Sequence, residues 1–187
     1  MAESIRSFIA FDINNESILQ KILDIQKLLS KTGADLKLVE PENIHITVRF
    51  LGNITSATVE KVFEEMKKTQ FTPFNAKIHG VGAFPNLNYP RVLWTGITEG
   101  AEQLRSVFAQ LESRLQGLGF APDPKGFSPH LTIARVRSGR NKPELAKIVN
   151  ENVECEFGVV RADCLKLKKS DLTPKGPIYS TLREFCP

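Results

Sequence analysis

The stretch Asn43–Gly52, NIHITVRFLG, and the stretch Phe127–Val136, FSPHLTIARV, carry one shared pattern, His-x-Thr-x, each time inside an apolar run. In a strand, residues two apart point to the same face. His45 and Thr47 therefore project together, and Ile46 and Val48 turn the other way, into a core. His130 and Thr132 repeat this against Leu131 and Ile133. The chain has 3 histidines, and two of them stand in these copies. One copy alone would be a common accident of half-buried strands. Two copies predict two core strands presenting matched halves of one polar site.

Around these strands the pattern alternates loosely between helix and strand. Arg6–Ile13 reads as a first strand, with Asn14 and Asn15 placed to cap the next element. Ser17–Lys31 has Ile18, Ile22, Ile25, Leu28 and Leu29 at helical spacing, and Gly33 supplies a stop. Leu36–Val39 reads as a short strand. The first motif strand is expected over Ile44–Leu51, ended by Gly52-Asn53. A second helix is expected over Thr55–Lys68. Phe74–Phe84 and Arg91–Gly96 read as strands joined by the turn-rich Pro85–Pro90. A third helix covers Ala101–Leu118. The second motif strand runs to Val136, and Pro143–Val149 is a short helix with proline in its first turn. The tail holds strands near Glu154–Val159, Asp163–Lys169 and Ile178–Phe185. Hairpin-like strand pairs favour an α+β fold with antiparallel sheets over a doubly wound parallel one. A helix and a motif strand recur in each half, which suggests two related lobes in a single domain spanning 1–187.

Composition sets the outer bounds. With 41% apolar and 25% charged residues over 187 positions, a core can form without staples. The formal charge of +4 leans toward an anionic partner without naming one. Cys155, Cys164 and Cys186 are odd in number and form no Cys-x-x-Cys pair, so free thiols in a reducing, cytoplasmic setting are expected. The opening MAESIRSFIAFDI has no long apolar region, and no stretch approaches the roughly 18 apolar residues of a membrane span.

Histidine exchanges protons near neutrality because its ordinary pKa is about 6.5. On opposite sides of a phosphodiester, one neutral imidazole can activate water and one imidazolium can protonate the departing oxygen. Thr47 and Thr132 can donate hydrogen bonds to the non-bridging oxygens, whose charge must be stabilised in the transition state. Two histidines are too few for a closed zinc site. His79, a conceivable third ligand, alternates with apolar Ala76 and Ile78 and reads as a solvent-face residue. No metal and no cofactor are expected, and no triphosphate-binding loop is present.

These residues resemble the 2H phosphoesterase superfamily, and within it the RNA 2′,3′-cyclic phosphodiesterases, also called 2′-5′ RNA ligases. The resemblance runs through RSFIAFDI, HITVRFLG, YPRVLWTG, PHLTIARV and KGPIYSTLREF. It implies a bilobal fold, two antiparallel sheets with outer helices facing a central cleft. It also implies hydrolysis of RNA 2′,3′-cyclic phosphate ends, possible reverse 2′-5′ ligation, and an RNA partner such as a tRNA fragment met by a monomer. Carried over by residue, His45 is the proton donor, His130 the proton acceptor, and Thr47 and Thr132 hold the phosphate. The sequence alone is symmetric as to which histidine does which. A competing reading keeps the cleft but not the chemistry, as a silent RNA- or nucleotide-binding module.

Supporting residues are less determined. By strict alternation Arg49 shares the face of His45, where it meets RNA phosphates or solvent. Arg135 falls on the core face, so either a bulge redirects it or it meets a structural partner, which is the preferred reading. Arg91, Trp94 and Tyr179 are candidate nucleotide contacts, with core packing the better reading for Trp94. Phe8 and Phe11 read as core. Lys166, Lys168 and Lys169 read as a solvated strand edge.

Overall fold

A computed structural model of the protein describes residues 4–187. The chain folds in the order β1 (Ile5–Asp12), α1 (Glu16–Lys31), β2 (Leu36–Leu38), a 3-10 turn (Pro41–Asn43), β3 (His45–Ile54) and α2 (Ser56–Met66). It continues through β4 (Phe74–Phe84), β5 (Val92–Ile97), α3 (Ala101–Gly117), β6 (His130–Val136), α4 (Lys142–Glu151), β7 (Glu156–Ala162), β8 (Leu165–Thr173) and β9 (Gly176–Phe185). Local chemistry explains the helix starts. The Asn15 side chain accepts from the Ile18 amide at 3.1 Å, and the Thr55 hydroxyl accepts from the Thr58 amide at 3.2 Å. Gly33, at φ 70°, closes α1 in the left-handed conformation.

The fold is α+β, with every strand pair antiparallel. The strand order is β7-β4-β5-β6-β3-β1-β8-β9, with β2 on β6. The two sheets expected from sequence are thus continuous, but only just. Between β6 and β3 a single pair, Ile46 with Leu131, is in register. Both residues sit one position after a motif histidine, so matching positions of the two motifs pair with each other.

The helices cover the apolar backs of the sheet in an exchanged manner. Helix α1 follows β1 yet lies against β6 and β7, beside α4. Helix α3 precedes β6 yet lies against β3, beside α2. The apolar stripes read from sequence account for this. Ile18, Ile22, Ile25 and Leu29 of α1 are buried, as are Leu104, Val107, Leu111 and Leu115 of α3. One contiguous core unites them with Phe11, Ile46, Val48, Leu131 and Ile133.

Three further expectations change. First, β3 does not stop at Gly52-Asn53 but runs on to Ile54, because Gly52 takes φ 71° without steric cost and the strand goes on pairing with β1. Second, the cysteines are not all free thiols. Leu165 pairs with Phe185 at the end of the β8–β9 ladder, so Cys164 and Cys186 form the next position out, with Cα atoms 4.3 Å apart in a disulfide. Cys155 alone remains a thiol. Third, β8 is no edge, since β9 covers it. Lys168 is buried and donates to Asp12 Oδ1 at 2.6 Å, while Lys166 lies 3.0 Å from both Asp12 and Glu184. Burial alone would raise the Asp12 carboxyl, but the two lysines hold it below the ordinary carboxylate value.

Thiol titration of the unreduced, denatured protein should find one reactive thiol per chain, and after reduction three. Replacing Cys164 by serine should lower stability by about 2–4 kcal/mol, measured by denaturant unfolding. Three thiols before reduction would show that the staple does not form.

Candidate active site

Each motif strand breaks its own alternation at the same place. Ile9 of β1 pairs with Arg49 and Ala10 with Thr47, so Val48 is an extra residue in β3. Leu93 of β5 pairs with Ala134 and Trp94 with Thr132, so Ile133 is an extra residue in β6. Each bulge sits three positions after the histidine. It turns two consecutive residues into the core, Val48 with Arg49 and Ile133 with Ala134, all of them buried. The next residue then returns to the cleft face. In β3 that is Phe50, 55% exposed; in β6 it is Arg135. The carbonyl of bulged Ile133 is not left bare. It accepts from the Gln26 side chain at 2.8 Å and from the Val39 amide at 3.0 Å.

The two histidines are held alike. His45 Nδ1 lies 2.7 Å from the Asn43 carbonyl, and His130 Nδ1 lies 2.7 Å from the Ser128 carbonyl. A carbonyl only accepts, so both rings carry their proton on Nδ1 and leave Nε2 for other partners. Nε2 of His45 lies 2.7 Å from the Thr47 hydroxyl, which donates to it. Burial pushes His45 down to about 4, against the Asn43 bond, which raises it; nearby Lys168 lowers it further and Asp12 raises it. His130 is also lowered, by burial first and then by the Arg135 charge, with the Ser128 carbonyl opposing. Both rings are therefore neutral near pH 7 in the ligand-free protein.

His45, Thr47, His130 and Thr132 line one cleft of about 570 Å³. Its walls include Arg6, Phe8, Lys37, Phe50, Arg135, Lys175 and Tyr179. Phe8, 4.9 Å from the His45 ring, and Tyr179, 5.3 Å from it and edge-on, pack that imidazole in place. Phe84 packs edge-on against His130 at 5.0 Å.

The structure separates the supporting candidates. Arg49 leaves the cleft face, because the bulge at Val48 rotates it to the back of the sheet. There its Nε donates to Glu112 at 2.7 Å and it is 8% exposed. Arg135 takes the opposite course. The structural partner preferred for it from sequence is absent. The bulge at Ile133 carries it into the cleft, where it makes no ion pair among the described residues. Tyr179 is a cleft residue. Arg91 is exposed and outside the cleft lining. Trp94 is packing, 5.1 Å from Phe84, and a β-carbon on Gly82 would overlap its ring. His79 is half-buried away from the cleft, 3.5 Å from exposed Glu154. Sequence reasoning misses Phe50, because alternation alone assigns it to the core side.

Comparison with known proteins gives a family match over nearly the whole chain. The family model described as LigT like Phosphoesterase matches residues 12–94 and 96–179, each stretch holding one motif. A protein of Archaeoglobus fulgidus named RNA 2′,3′-cyclic phosphodiesterase is 43% identical over 180 residues, covering 96% of this chain and 99% of that protein. The crystal structure of TT0787 of Thermus thermophilus superposes with a TM-score of 0.80 at 25% identity, covering 97% of both chains. Escherichia coli LigT complexed with 3′-AMP shares the fold, with a TM-score of 0.79 at 20% identity over 98% of both chains.

A histidine whose folded pKa lies below its unfolded one costs stability when protons are added. The unfolded chain binds the His45 proton near pH 6.5, the folded one only near 4. Stability should therefore fall as pH drops through this window, by at most about 3 kcal/mol from this residue. His45→Gln should flatten that part of the curve in denaturant unfolding followed against pH. An unchanged slope would show that His45 titrates normally.

Proposed function

Because the chain belongs to the LigT-like phosphoesterase family, we propose that it hydrolyses 2′,3′-cyclic phosphate ends of RNA to 2′-phosphomonoesters. Two imidazoles with Nδ1 tied to backbone carbonyls, both lining one shared cleft, support this most directly. Relatives named RNA 2′,3′-cyclic phosphodiesterase, among them that of Archaeoglobus fulgidus, supply the substrate class.

In this reading the chain is one domain whose two halves act as lobes of one site. Water attacks the phosphorus while His130 Nε2 takes its proton. The bond from phosphorus to the 3′ oxygen breaks, and His45 Nε2 delivers a proton to that oxygen. Exchange with solvent then resets both rings. His45 is mostly neutral in the empty cleft, so the acid must be loaded on binding. A phosphodiester anion beside the ring favours the charged form and raises its pKa. Thr47 and Thr132 donate to the non-bridging oxygens, and Arg135 places a cation on the same face. Phe50 leaves an open ring at the cleft for a base to stack on.

A short RNA ending in a 2′,3′-cyclic phosphate, incubated with the protein in EDTA and without ATP, should yield a 2′-phosphate. His45→Ala and His130→Ala should each slow this by about 10²–10⁴-fold. His79→Ala should leave it unchanged. Tight binding of this RNA without turnover would instead identify a binding module. The pH profile gives a second check. Both rings titrate below 6.5 in the free protein, so both limbs of kcat/KM should fall below that value. The kcat limbs, which report the complex, should lie higher.

A further inference from the structure

We propose that Arg49 is a positioning residue for this two-histidine site, a role that rests on the hydrolytic reading above. The two motif strands share one ladder rung, so something beyond the sheet must fix His45 relative to His130. Arg49 stands directly after the bulge at Val48, two residues beyond Thr47, with its side chain behind the sheet. Its guanidinium spends every edge. Nε donates to Glu112 Oε2 at 2.7 Å, one terminal nitrogen donates to the Phe50 carbonyl, and the other donates to the Ala121 carbonyl at 2.6 Å. Asp123 Oδ2 lies 3.8 Å away. The second Glu112 oxygen accepts the Asp123 amide at 2.7 Å.

Every one of these partners except Phe50 lies on α3 or on the segment after it. That segment ends at Ser128, whose carbonyl holds the His130 tautomer, and at Pro129, which enters β6. Arg49 thus ties the back of the first motif strand to the chain that delivers the second histidine. A fork of this shape has no lysine equivalent, because an ammonium is a single point of charge. A buried ion pair is also a poor source of net stability compared with apolar packing. Directional clamping is the function that its geometry serves. Burial alone would raise the Glu112 carboxyl, but the Asp123 amide and Arg49 keep it below its ordinary value.

Arg49→Lys and Glu112→Gln are the informative variants, with Leu145→Ala in α4 as a control of reduced stability elsewhere. Turnover of the cyclic-phosphate RNA should be measured well below each melting temperature, and the imidazole signals followed by NMR against pH. We expect kcat to fall about 10–100-fold in Arg49→Lys, since small misplacement of reacting groups carries that cost. KM should stay within about twofold, Glu112→Gln should change in the same direction, and the control should keep its kcat. The titration of His130 should move. A folded Arg49→Lys with kcat within about twofold of wild type would overturn the role, as would an equal loss in the control. If Arg49→Lys does not fold, Glu112→Gln carries the same test. If the wild type turns over no such RNA, the hydrolytic reading fails by itself. The clamp then stands or falls on whether the His130 signal moves.

Discussion

A pleated strand must alternate, and two strands of this protein break that rule at matching positions. The extra residues Val48 and Ile133 let each strand show a histidine and a threonine to the cleft, then give two residues running to the core. Everything distinctive about the site depends on this constraint. It sends Arg49 behind the sheet and brings Phe50 and Arg135 to the front. It also leaves the two halves unequal where the motifs are alike. One half offers an aromatic ring at the returning position, the other a guanidinium. Two strands with the same motif thereby present different side chains to one cleft.

Electrostatics add to that inequality. His45 has a half-buried ionic cluster beside it, with Asp12 opposite it in the β1–β3 register and Lys168 and Lys166 bound to Asp12. His130 has instead the charge of Arg135 near it. The two rings share a tautomer because both Nδ1 atoms face backbone carbonyls two residues upstream. They differ in what surrounds them. Shared tautomer with different surroundings is the condition under which two identical side chains can take opposite roles in one proton transfer.

Much of this is legible in the sequence, because period and spacing are local properties. The helices α1 and α3, the strand Phe74–Phe84 and the pairing of His45 with Thr47 all arise from residues near one another in the chain. The features that cannot be read there depend on register. The bulges carry no glycine or proline to mark them, so alternation misplaces Arg49 and Arg135 on faces that the strands do not keep. Cys164 and Cys186 look unrelated until the β8–β9 ladder sets them side by side. Lys166 and Lys168 look like solvated edge residues because nothing in the sequence says that β9 closes over β8.

The exchanged helices have a consequence for how the protein is made. On the ribosome, β3 emerges early with Ile46 and Val48 facing a surface that α3 has yet to cover. Helix α1 in turn waits for β6 and β7, which come from the far half of the chain. Neither half can shelter its apolar face with its own segments. Vectorial synthesis therefore passes through a long interval of exposed β-strand, the state most open to wrong pairing with a neighbouring nascent chain.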